Sequence, residues 1–206
     1  MTAILAWQLD QMAALATDLL TFTIPFNSDT PRYRLSEKIL STTHDHLLLF
    51  SGIIRSETIR DLCSITLQEL LTTDLRPYHD PHKMSVEILA LDPAENQIYT
   101  GGTRSSCFER INKGTFIYTD SSNDRWAPIV HQQMAKFSNK KTDIFSYFTS
   151  LLEQLAEKDP EIQGHATYIL KEGNLFRVSI SHPPTNGLAA KPFKAPFPSQ
   201  PRAPVV

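Results

Sequence analysis

The stretch TAILAWQLDQMAALATD, residues 2–18, decides how this chain is read. Two short apolar segments, AILAWQL at 3–9 and MAALAT at 12–17, flank the polar pair Asp10-Gln11. Each segment has the length of a strand and the polar break has the length of a turn, so the pattern predicts a β-hairpin. Alanine and leucine are poor strand formers, and the expectation rests on segment length and punctuation instead of propensity. The hairpin opens at Thr2 and is followed directly by Asp18.

Outward from the hairpin, Thr21 to Arg34 carries Pro25 and Pro31 and reads as a loop. LSEKILS (35–41) and HDHLLLFSG (44–52) then read as a second strand pair around a Thr-Thr-His turn, which puts four strands first. From Arg55 to Thr73, Ile59, Leu62, Cys63, Thr66, Leu67, Leu70 and Leu71 recur at helical spacing and predict one amphipathic helix of about five turns. After a loop marked by Pro77 and Pro81, the segments VEILAL, QIYTGG, SSCFERI and GTFIYT read as antiparallel strands, with DPAEN as a turn. Helices are expected at 126–137 and 143–158, the second with Ile144, Phe148, Leu151, Leu152 and Leu155 on one face. HATYIL and LFRVSI close the body as a hairpin. Strands, helix, strands, two helices and strands, with apolar stripes on both faces of the strand runs, predict an α+β fold: a four-layer αββα sandwich of two stacked sheets covered by helices.

The chain has 206 residues, with 14 prolines against 7 glycines, and Pro183, Pro184, Pro192, Pro196, Pro198, Pro201 and Pro204 crowd its end. The expected organisation is therefore one domain over 1–182 and a proline-rich, flexible tail over 183–206. The tail carries Phe193 and Phe197 among its prolines. A hydrophobic content of 41% and a charged content of 20% suit a soluble domain and exclude collagen, coiled coil and wholesale disorder. The net charge is −2, and the tail's Lys191, Lys194 and Arg202 leave the body more acidic still, so neither nucleic acid nor membrane is an expected partner. Asp10 and Asp18 interrupt the apolar start, no basic segment precedes it, and no apolar run reaches spanning length. Cys63, in a helix-like run, and Cys107, in a strand-like run, form no CxxC or paired framework, which points to a reducing, cytoplasmic compartment.

Several groups could be taken for chemistry. His44-Asp45-His46 places two imidazoles on one side of a strand, and His79-Asp80-Pro81-His82 falls in a loop. Neither has thiolates or a further converging ligand nearby, so both read as polar turns, and no metal and no cofactor are expected. Gly101-Gly102 precedes no helix and is not a phosphate loop, and neither cysteine has a catalytic surrounding sequence. Thr2 is more informative. A small second residue permits removal of Met1, which leaves a hydroxyl and a free α-amine on one residue. An α-amine with a pKa of about 7.7–8.0 is partly unprotonated near neutral pH and can accept the hydroxyl proton. Nucleophile and base are then the same residue.

Thr2 does not stand alone. Ala16-Thr17-Asp18, Ser36-Glu37-Lys38-Ile39, Phe50-Ser51-Gly52, Ser121-Ser122-Asn123-Asp124-Arg125-Trp126-Ala127 and Asp159 follow it in order. This order and spacing resembles the proteasome β-subunit family of N-terminal-nucleophile hydrolases, including the bacterial HslV type and the smaller bacterial proteasome homologues. The resemblance covers residues 2 to about 180, and that family's fold is the αββα sandwich.

The resemblance implies a role for each matching residue. Thr2 is the nucleophile, Lys38 the lysine that favours its less protonated form, and Asp18 the carboxylate paired with that lysine. Gly52 supplies an oxyanion N–H, Ser122 and Asp159 hold the terminal amine and its water, and Phe50 and Ile54 line a pocket for an apolar or small side chain. Taken from the residues alone, Asp18 and Lys38 also fit an ordinary exposed ion pair, and Gly52 fits a helix start. The chain departs from the family at Ser51-Gly52-Ile53, at Ser121-Ser122-Asn123 and at Ile162-Gln163-Gly164, where a serine is missing. The implied activity is that of a threonine-type endopeptidase in a homo-oligomeric ring or double ring, cutting unfolded polypeptides, with any ATPase unfoldase on a separate protein. The alternatives are a catalytically degenerate ring-forming scaffold and an amidase of the same fold.

Overall fold

The computed structural model describes residues 3–23, 32–35, 38–52, 54, 56–78, 85–120, 126–137, 143–159, 162–171 and 174–181. Thr2, Ser122 and the proline-rich tail lie outside them. Among the described residues the fold is mixed α/β, with two five-stranded antiparallel sheets, a two-stranded ribbon and few helices.

The opening hairpin forms as the sequence predicts, from β1 (Ala3–Gln8) and β2 (Met12–Thr17), and Leu9 N–H donates to the Met12 carbonyl at 2.8 Å across the turn. Thr21 to Arg34 is a correction. Leu20–Thr23 (β3) pairs with Arg32–Leu35 (β4), so among the described residues six strands precede the first helix. Leu-Thr-Phe-Thr and Arg-Tyr-Arg-Leu are rich in β-branched, aromatic and alternating residues, a strand signal that the two prolines obscured. β5 (Ile39–Ser41) and β6 (Leu47–Ser51) follow as an antiparallel pair.

The single helix expected at 55–73 is two, α1 (Ser56–Ser64) and α2 (Leu67–Thr72). Thr66 breaks it. Its backbone is extended, its hydroxyl accepts Glu69 N–H at 3.3 Å, and Glu69 Oε2 accepts Thr66 N–H at 2.8 Å. This reciprocal capping box satisfies donors at the start of α2 that a continuous helix would have used itself.

β7 (Glu87–Asp92), β8 (Gln97–Gly102) and β9 (Glu109–Arg110) extend the second sheet, in the order β5-β6-β7-β8-β9. The DPAEN turn is held by Asp92 Oδ1, which accepts Ala94 N–H at 2.9 Å, and by Asn96 at φ 51°, a conformation asparagine tolerates. Cys107 lies outside any strand, exposed, because only Glu109 and Arg110 of its segment pair. β10 (Phe116–Asp120) crosses to the first sheet, whose order with β11 (His165–Lys171) and β12 (Asn174–Ser181) is β10-β1-β2-β11-β12. Between them come α3 (Ala127–Phe137) and α4 (Ile144–Lys158). Among the described residues, no helix is long and apolar enough to cross a membrane.

Strand alternation sorts the core. Ile4, Ala6, Ala13 and Leu15 of the first sheet share a buried cluster with Leu47, Leu49, Leu89 and Leu91 of the second. Their neighbours Ala3, Leu5, Ala14 and Ala16 face the other way, packing with Phe148, Leu151, Leu152 and Leu155 of α4. Leu48, Phe50, Ile88 and Ala90 pack with Leu62 of α1 and Leu70 of α2. A period of two on each strand thus feeds two different cores from one run of apolar residues. Gln8, 2% exposed, ties the two sheets together: its Oε1 accepts Ile98 N–H at 2.8 Å and its Nε2 donates to the Asn96 carbonyl at 2.9 Å.

Candidate active site

One end of the first sheet collects distant parts of the chain. Ala3 opens β1 opposite Asp120, the last residue of β10, and Thr17 closes β2 opposite both Ile4 and Ala166. The segment after α4 arrives there too, because Leu19 N–H donates to the Gln163 carbonyl at 2.9 Å.

Asp18 is the centre of this end and is fully buried. Its Oδ1 accepts the Ala3 N–H at 2.8 Å, and its Oδ2 accepts Lys38 Nζ at 2.7 Å and Leu20 N–H at 3.2 Å. The Ala3 N–H belongs to the peptide bond that follows Thr2, so this carboxylate holds the chain where the candidate nucleophile joins β1. Lys38 precedes β5, and its side chain is 6% exposed. The pair is therefore buried, which removes the reading of it as an exposed surface contact.

Burial pushes the Asp18 carboxyl up from its ordinary value, opposed by the Lys38 ammonium and the Ala3 N–H. Burial likewise pushes the Lys38 ammonium down, opposed by Asp18. Each group lowers the cost of ionising the other. Desolvation of two charges offsets most of their attraction, so the pair contributes little to stability.

Gly52 follows β6 and leads toward α1, at φ 102°. A Cβ there would lie 2.5 Å from the Ser85 carbonyl oxygen and 3.1 Å from Val86 Cα. Only glycine fits, for both conformation and space. Phe50 is 8% exposed in the cluster under α1 and α2, and Ile54 packs against the same cluster.

Asp159 caps the C-terminus of α4. Its N–H donates to the Leu155 carbonyl at 2.9 Å and its own carbonyl accepts Ile162 N–H at 3.0 Å. Its carboxylate is buried and takes the Trp126 indole N–H on Oδ2 at 3.1 Å. The sequence marked Trp126 only as the aromatic of a motif, with no role. Its donor-only chemistry next to a conspicuous acceptor is a signal that becomes readable only when α3 and α4 are placed together.

The two His44 and His46 imidazoles do not share a strand face. Both lie in the turn between β5 and β6, where His46 Nδ1 meets Thr42 Oγ1 at 3.0 Å and His44 Nε2 meets the Ser64 carbonyl at 3.2 Å. Tight turn geometry, with Asp45 at φ 64°, sends them to separate partners. His79-Asp80-Pro81-His82 lies outside the described residues. Among the described residues, no group of three or more histidine, cysteine or acidic side chains converges as a metal site. Cys63 is half-buried, and burial pushes its thiol up, away from the thiolate a nucleophile needs.

No protein-family model matches the chain, and no curated protein matches it.

Proposed function

We propose that this chain is an N-terminal threonine peptidase of the proteasome β-subunit type, built as a four-layer αββα sandwich and assembled into a ring or double ring that cuts unfolded polypeptides. The observation that carries this reading is the buried Asp18, which binds Lys38 Nζ at 2.7 Å and the Ala3 N–H at 2.8 Å. One carboxylate ties a buried ammonium to the peptide unit beside Thr2. The layered fold is supported by the three clusters, one shared by both sheets and one between each sheet and its helices.

In this reading Met1 is removed and the Thr2 α-amine accepts the hydroxyl proton, directly or through a water, as Oγ bonds to the substrate carbonyl carbon. The proton passes to the departing peptide amine as the C–N bond breaks, leaving an ester on Thr2. Water then adds to the ester, the C–Oγ bond breaks, and the hydroxyl regains a proton. The Lys38 ammonium favours the less protonated hydroxyl and amine, and the Gly52 N–H stabilises the oxyanion. Asp159 and Ser122 hold the amine and its water, and Phe50 and Ile54 bound the specificity pocket. No cofactor takes part, and unfolding by an ATPase is the work of a separate protein.

One observation favours a second reading, a ring-forming scaffold of the same fold without peptidase activity. Ile162 stands where the family carries a serine, and it is fully buried among the α4 side chains, an apolar residue with no hydroxyl of its own to offer.

Intact mass followed by labelling with a threonine-directed epoxyketone and peptide mapping separates the two. The peptidase loses Met1 and carries the label on Thr2. Thr2→Ala abolishes labelling and turnover of fluorogenic peptides without disturbing assembly, and Lys38→Ala nearly does so. Retention of Met1 in the assembled protein rules the peptidase out, because the base is then an amide.

A further inference from the structure

We infer that Trp126 is the positioning residue of this site: its indole N–H aims the Asp159 carboxylate at the terminal amine. The inference rests on the peptidase reading for what the carboxylate is aimed at, and on geometry for the aiming itself.

Trp126 and Asp159 are 33 residues apart in the chain, yet each is locked by the end of a helix. The Trp126 carbonyl accepts Ile129 N–H at 3.0 Å and Val130 N–H at 3.1 Å, so its backbone is the first turn of α3. Asp159 is held on both sides, by Leu155 at the end of α4 and by Ile162 in the segment that follows. The start of α3 therefore lies against the end of α4. The same antiparallel register continues along the pair, where Gln133 Nε2 donates to Gln154 Oε1 at 2.9 Å. Trp126 also packs against the buried cluster that contains Phe148, Leu152 and Leu155, which restricts its ring.

A carboxylate on a helix C-cap has two side-chain torsions to lose before it can orient a substrate or a water. An indole has one donor and no acceptor, so its only productive partner is an oxygen, and an ionised one gives the stronger bond. The bond to Oδ2 restricts the rotation of the carboxylate and so narrows the directions open to its second oxygen. Gln163, four positions after Asp159, already meets the Asp18 end of the sheet, where its carbonyl accepts Leu19 N–H. Trp126 thus transmits the geometry of the helix layer to Asp159, the residue that the peptidase reading assigns to the amine.

The test combines two readouts on the assembled, full-length protein. The first is the second-order rate of epoxyketone labelling at Thr2, with the thermal midpoint recorded beside it. Trp126→Phe keeps an aromatic ring and loses the donor. Labelling falls about 10- to 100-fold, as expected for a misaimed catalytic group, while the midpoint stays close to wild type. Gln154→Ala, at the other end of the helix contact, labels like wild type. The second readout is the ultraviolet resonance Raman band that reports indole N–H hydrogen bonding. The chain has two tryptophans, so wild type minus Trp126→Phe isolates Trp126. Asp159→Ala moves that band to the position of a weakly bonded indole, and Asp159→Asn, which retains an acceptor, moves it part of the way.

Labelling of Trp126→Phe at the wild-type rate overturns the inference. So does an equal loss in Trp126→Phe and Gln154→Ala, which would reduce Trp126 to general packing, and so does a Raman band indifferent to Asp159→Ala. A wild-type protein that takes no label sinks the peptidase reading separately, because the Raman arm still reports whether Trp126 holds Asp159.

Discussion

At the residue scale, Asp18 and Lys38 are the groups on which the site depends, and their burial makes a two-sided prediction. Lys38→Met leaves a buried carboxylate with no cation, and Asp18→Asn leaves a buried ammonium with no anion. Each costs about 3–5 kcal/mol, the usual penalty for breaking a buried pair from one side. Their pH dependences run in opposite directions. In Lys38→Met the Asp18 carboxyl, already raised by burial, rises further above its unfolded value. Its stabilising contribution is complete below the unfolded pKa and is lost as pH rises through the folded one, so the variant is weaker at about pH 8 than at about pH 4. In Asp18→Asn the Lys38 ammonium, already lowered by burial, falls further below its unfolded value. Its contribution is complete above the unfolded pKa and is lost as pH falls through the folded one, so this variant is weaker at about pH 5 than at about pH 9. Urea unfolding of both variants across pH reads the two slopes, and parallel slopes would mean that the pair is solvated.

At the element scale, the break between α1 and α2 shows how a short local signal overrides a longer periodic one. The apolar spacing from Ile59 to Leu71 is continuous, and a continuous helix would have exposed no new ends. Thr66-Leu67-Gln68-Glu69 nevertheless has the capping-box pattern, and both of its bonds form. α2 has six residues and is too short to hold itself by propensity. Thr66→Ala should therefore cost about 1 kcal/mol and raise amide exchange in Leu67–Thr72 while leaving α1 protected. Equal exchange increases in both helices would mean that the cap governs them as one unit. The β3–β4 ribbon makes the complementary point. Its strands read clearly in composition, and prolines in the intervening chain led to the expectation of a loop for the whole segment.

At the scale of the whole molecule, the cluster shared by the two sheets decides whether they stay together. Leu49 is fully buried in it, drawn from the second sheet, and faces the first-sheet residues Ile4 and Leu15 within the same cluster. Leu49→Ala should cost about 2–5 kcal/mol, because a packed interior closes only partly around the missing methyls. Leu175→Ala, on β12 and 38% exposed, should stay within about 0.5 kcal/mol. Chemical denaturation of the two variants side by side measures the contrast, and a small loss for Leu49→Ala would show that the shared core can repack.

Sequence by itself determined most of the elements. The opening hairpin, β7, β8, α3, α4 and the closing hairpin are carried by periods of two and of about 3.6, and by turn residues, which are local properties of a few neighbouring side chains. Asp18, Lys38, Gly52 and Asp159 stood out only through their order and spacing as a set that resembles a known family, since each taken singly fits an ordinary structural role. Only the tertiary structure decided that Asp18 and Lys38 are buried, because burial depends on which distant parts of the chain pack over them. Only it moved β10 to the first sheet and set Trp126 against Asp159. Strand pairing and helix contact join residues far apart in sequence, and no local pattern specifies which partner a buried donor will meet.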